Sequence, residues 1–165
     1  MNVRPMFGAY RDLVLGLAVV ALISGIMLRG GPAELAAQSS NATVDAASGG
    51  GWIPGVSDGK ATFGLSARIH PDGKVTGHLL YMDRGVDFAL ESTSIHFFSA
   101  FGCQAHIQGE ADTSFGPVNF VVGVTDKGEP GKHDTFTIHA VGNTTYFNEN
   151  VLGGGNIQVH GKACK

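Results

Sequence analysis

Lys60-Ala61-Thr62-Phe63-Gly64-Leu65-Ser66-Ala67-Arg68-Ile69 is the stretch that decides the fold. Phe63, Leu65, Ala67 and Ile69 alternate with Thr62, Gly64, Ser66 and Arg68. A repeat of two residues puts one set on each face of a half-buried strand. Pro71-Asp72-Gly73 follows, with Pro presetting φ and Gly free to take positive φ, so the chain turns there. Residues 74–83 (KVTGHLLYMD) supply the partner strand. Further strands are predicted over 86–90, 94–99, 103–112, 118–125, 134–140 and 156–163, with a bend at Glu91-Ser92-Thr93 separating the third from the fourth. Asn148-Glu149-Asn150 is too hydrophilic for a half-buried strand, so it is expected in a long loop. Eight short strands with Gly, Pro and Asp turns describe a single antiparallel all-β domain. Short connections favour a meander barrel over a two-sheet sandwich.

The domain accounts for residues 52–165. Before it, residues 1–37 have the order of an export signal: Arg4 and Arg11, then 16 uncharged residues (LVLGLAVVALISGIML), a Gly30-Gly31-Pro32 breaker and Leu35-Ala36-Ala37. Sixteen residues are fewer than the roughly 18 expected of a spanning helix. A signal cleaved after Ala37 is therefore expected, with an uncleaved N-terminal anchor as its alternative. The cleavage region has no Cys, which excludes a lipoprotein anchor. Residues 38–51 (QSSNATVDAASGGG) have little to bury and are expected to form a flexible tether.

Composition removes other classes. Of 165 residues, 43% are hydrophobic and 15% charged, too apolar for a disordered chain. Lys+Arg number 11 against 14 Asp+Glu, which leaves no basic footprint for nucleic acid. The chain from Gln38 holds 8 basic and 12 acidic residues, a net charge of −4 that serves solubility. No Gly-x-Ser-x-Gly elbow, His-Glu-x-x-His or phosphate loop occurs.

GGGWI (49–53), KATFG (60–64), GHLLY (77–81), STSI (92–95), DKGEP (126–130), DTF (134–136) and GGNI (154–157) occur in that order. This set resembles an uncharacterised β domain of secreted and cell-surface bacterial proteins, often found beside immunoglobulin-like repeats. The resemblance spans residues 49–160. It implies a structural β scaffold with no known activity.

Cys103 and Cys164 are the only cysteines, and a disulfide is the economical reading for an exported chain. It requires the final strand to run antiparallel to the strand that Cys103 opens, as the eighth does to the fifth. Seven histidines prompt a metal test. A copper/zinc dismutase site needs two imidazoles on one strand face, and no His-x-His exists. Convergence of His78, His106, His139 and His160 from separate strands is left open. Asp126, Glu129 and Asp134 offer hard oxygens for Ca²⁺, but Gly128, Pro130 and Gly131 favour a solvated turn that binds no Ca²⁺ tightly. Trp52 is expected to plug one end of the core. No catalytic, cofactor or metal residue is assigned.

The expected function is therefore an exported, non-catalytic structural or binding module with an extracellular or cell-surface partner, without nucleic acid and without membrane insertion beyond the leader. The alternative is a small-ligand or metal-binding barrel, and a secreted hydrolase comes third. A filled core with dispersed histidines favours the first reading, and a dry pocket of several hundred Å³ favours the second. A His beside a Ser in a cleft favours the third.

Overall fold

A computed structural model describes residues 44–162 and 164. The segment 1–37 expected to form an export signal lies outside the described residues. The strands are β1 Ala46–Pro54, β2 Lys60–Ile69, β3 Val75–Asp83, β4 Phe88–Phe101, β5 Gln104–Thr113, β6 Gly116–Thr125, β7 Thr135–Gly142, β8 Thr145–Val151 and β9 Gly154–His160, with a short 3-10 turn at Gly131–His133. All pairings are antiparallel, in one curled sheet of order β8-β7-β6-β5-β4-β3-β2-β1-β9. The all-β expectation holds, with nine strands in place of eight.

Three local expectations are corrected. Ala46 to Gly51 are not tether but the first six of the nine residues of β1, paired to β2 on one side and β9 on the other. Glycine is what lets β9 approach there, because a Cβ at Gly49 or Gly51 would collide with the carbonyl oxygens of Asn156 or Gly154. Composition made the segment look featureless, whereas its lack of side chains is the condition for the pairing. Residues 148–150 are not loop but part of β8, and Asn148 points into the interior. The bend at Glu91-Ser92-Thr93 lies within one long strand: the β4–β5 register shifts between Ser92 and Ser94, the mark of a bulge.

β8 and β9 run in the same direction, since each is antiparallel to an odd-numbered meander strand, and only Leu152 and Gly153 separate them. The final run thus leaves β7, crosses a seam and pairs with β1, joining both edges of the sheet. Counted as one run it is the eighth. The parity that the cysteines require is met because an added first strand offset a fusion of the expected third and fourth.

Inward residues fill the curl. The rings of Phe63 on β2 and Phe136 on β7 stack at 4.2 Å, and those of Phe88 and Tyr146 at 4.0 Å, so opposite walls touch. Trp52 is not a core plug. It alternates with buried Ile53 and lies outward, over the backbone of Gly153-Gly154, with Lys60 Nζ 3.9 Å from its ring.

Candidate functional site

The disulfide predicted from the two cysteines is present. Cys103, just before β5, bonds Cys164, beyond β9, with the Cα atoms 4.6 Å apart. The histidines do not converge. His78, His106, His139 and His160 sit exposed on β3, β5, β7 and β9, and among the described residues no three His, Cys, Asp or Glu side chains group as metal ligands.

The acidic turn has a different task from either one expected. Asp134 is fully buried; its Oδ1 accepts Lys127 N–H at 2.9 Å and its Oδ2 accepts Ile157 N–H at 2.9 Å. Asp126 Oδ2 accepts Val159 N–H at 3.1 Å, and Glu129 Oε1 accepts the Asn156 amide at 2.7 Å. Ile157 and Val159 are two apart on β9, so their N–H groups leave the strand on the side opposite β1. Two carboxyl groups thus satisfy the free edge of the closing strand as a neighbouring strand would. They stitch the seam, and the oxygens a cation would need are already engaged.

A second polar group occupies the other end of the curl. Asn150 Nδ2 donates to Asn148 Oδ1 (3.0 Å) and Asn148 Nδ2 to Tyr81 Oη (3.0 Å) and to Pro54 O (2.9 Å). Tyr146 donates to Asp83 Oδ2 at 2.8 Å, so across the 2.7 Å contact between the two phenols Tyr81 is the donor. Asp83, fully buried, also accepts Val56 N–H and Gly85 N–H. Hydrogen bonds in such a chain polarise one another. Burial raises both phenol pKa values; Tyr146, which also gives its proton to Asp83, is raised furthest. This group is not among the residues expected from the sequence. Its signal was visible as Tyr81-x-Asp83 and Tyr146-x-Asn148, polar residues at strand spacing on the face that elsewhere holds apolar ones.

On the outer face, Ser92 Oγ lies 3.4 Å from His78 Nδ1, and His78 Nε2 lies 3.9 Å from Glu91 Oε1. A serine within reach of a histidine was the arrangement that would favour hydrolysis. Here His78 and Glu91 are 48% and 69% exposed, and water competes for both contacts. Ser92 Oγ also accepts the buried Leu79 N–H at 2.9 Å, where the β3–β4 ladder stops at Leu80–Glu91. The hydroxyl replaces a missing ladder acceptor.

Beside it, an open groove of about 630 Å³ crosses the outer face of β2 to β5. Thr62, Gly64, Leu80, Met82 and Ala89 form its floor, and Glu91 and Asp112 stand at one side. Among the described residues no helix is long and apolar enough to cross a membrane. No protein-family model, curated protein or solved structure matches the chain.

Proposed function

We propose that the chain is an exported, non-catalytic binding or structural module that acts through the outside of its sheet. The filled interior carries this reading: Phe63, Phe136, Tyr81, Phe88 and Tyr146 meet ring to ring across the space that a ligand-binding barrel leaves open. The Cys103–Cys164 disulfide and the leader read from residues 1–37 support export. Resemblance to secreted and cell-surface bacterial β domains agrees with it.

Native mass spectrometry and metal analysis of protein recovered from the medium or cell envelope test the proposal. The expected species begins near Gln38 and carries no bound small molecule or metal. A stoichiometric ligand released only on denaturation would establish the ligand-barrel alternative, and intact Met1 in the cytosol would overturn export.

A further inference from the structure

The outer groove carries two unfavourable features that the fold does not need. Leu80 and Met82, successive outward residues of β3, are 47% and 41% exposed. Glu91 and Asp112 are register partners on β4 and β5, so two acidic side chains stand directly opposite each other. Like charges in that position destabilise a sheet. Among the described residues, Asp112 meets no cation, and Glu91 meets only His78, at 3.9 Å. Lys60 lies over the Trp52 ring, and Arg84 lines a separate cleft that also holds Asp58.

The register sets the layout. Gly64, Leu80, Glu91 and Asp112 form one row across the strands, and Thr62, Met82 and Ala89 form the next. A Cβ at Gly64 would meet open space, so the floor there is bare backbone beside Leu80. Three strand spacings make the groove about 14 Å long, the span of about four extended residues. An apolar group would cover Leu80 and Met82, and a cation between Glu91 and Asp112 would relieve their repulsion.

We propose that this groove docks an extended partner polypeptide segment in which an apolar side chain stands two residues from a Lys or Arg, so that both point to the same face. The apolar side chain lies on Gly64, Leu80 and Met82, and the cation lies between the two carboxyl groups. The proposal rests on the binding-module reading and adds to it the site and the partner's chemistry.

The test is an NMR titration of the mature, disulfide-bonded chain with acetyl-Leu-Ser-Lys-Ser-amide, with the Glu-for-Lys peptide and with spermidine. The expected result is saturable movement of the Leu80, Met82, Glu91 and Asp112 amides with the Lys peptide alone. Affinity should fall about tenfold in Asp112→Asn and in Leu80→Ser, the former loss corresponding to one charge contact, and should weaken in about 0.5 M salt. Asp112→Asn should also melt no lower than the parent, since it removes a repulsion. A lower melting temperature with unchanged peptide affinity would make Asp112 a structural residue and overturn the proposal. So would equal response to the Glu peptide, an equal response to spermidine, or dimerisation abolished by Leu80→Ser, which would name a second copy as the occupant. Shifts confined to other strands would remove the groove and leave the binding-module reading standing. A ligand recovered from the interior would instead remove that reading.

Discussion

Asp83 and Asp134 lie at opposite ends of the curl, and both are fully buried without a cation among the described residues. Their partners differ. Asp134 accepts only backbone N–H groups, from Lys127 and Ile157, and so holds two segments of chain together. Asp83 accepts two backbone N–H groups and a phenol, and so ends a line of side chains reaching from Asn150. One carboxyl replaces a missing strand; the other fixes the direction of a side-chain network. The difference predicts that the seam fails through backbone exposure, whereas the network fails through loss or ionisation of a hydroxyl.

The largest expected effect comes from the disulfide that anchors the closing run at the Asp134 end. Cys103 and Cys164 are 61 residues apart, and a loop of that length corresponds to about 4 kcal/mol in the chain-entropy description. Denaturant unfolding of the Cys103→Ser/Cys164→Ser pair should show a loss of this size. If the loss is near zero, the seam residues hold β9 without the covalent bond.

Asp134→Ala comes next. It strands two N–H groups bonded to a carboxyl, at about 1.5 kcal/mol or more each, so the loss should be about 3 kcal/mol. Amide hydrogen exchange should accelerate first at Lys127 and Ile157, the two N–H groups that lose their acceptor. Faster exchange around Val56 and Gly85 instead would show that the two ends open together and break the comparison. The unsubstituted protein should melt at the same temperature with and without millimolar Ca²⁺.

Tyr146→Phe should cost about 1–2 kcal/mol, because Tyr81 loses an acceptor and Asp83 a donor while both backbone bonds to Asp83 remain. Its sharper signature is in pH. An unfolded tyrosine ionises near pH 10, and both phenols are raised above that value in the fold. A raised pKa means that the unfolded chain releases its proton first. The network's contribution is complete below about pH 10 and declines as pH rises above it, by up to about 1.4 kcal/mol per pH unit for each phenol. Tyr146→Phe should make that decline shallower, and Asp134→Ala should leave its slope unchanged. Tyr81 and Tyr146 are the only tyrosines after residue 37, so phenolate absorbance of a chain beginning at Gln38 reads this network alone.

The sequence showed strands wherever one face was wholly apolar, as in Phe63, Leu65 and Ala67 of β2. It misled where the inward face is polar or bare. Asn148 looked solvent-bound because the hydroxyls it meets come from β3 and β8, and their convergence is a product of curling. Gly49 and Gly51 looked like tether because their use depends on β9, more than 100 residues later. The carboxyl groups of 126–134 were recognised as a cluster, but their targets are N–H groups left over by a change of partner along the final run. That change lies at Leu152-Gly153, where no turn motif announces it. The outer groove was equally hidden: Leu80, Glu91 and Asp112 are adjacent only through register.

The smallest effect concerns a third acceptor standing in for a strand, this one neutral. Ser92 Oγ takes the N–H of Leu79 where β3 and β4 part, as Asp134 takes the N–H of Ile157 where β9 has no outer neighbour. Leu79 is fully buried, so Ser92→Ala leaves a donor without water. A single neutral hydrogen bond contributes about 1 kcal/mol, and Ser92→Ala should lose that amount while Ser92→Thr, which keeps the hydroxyl, should lose less. His78→Ala should lose still less than Ser92→Ala, since the 3.4 Å contact to His78 is exposed and long. A fluorophosphonate probe separates this structural role from a nucleophilic one. The expected outcome is no adduct on the native chain. An adduct at Ser92 that disappears in His78→Ala would make the hydroxyl a nucleophile, and Ser92 would then differ from Asp134 in kind as well as in strength.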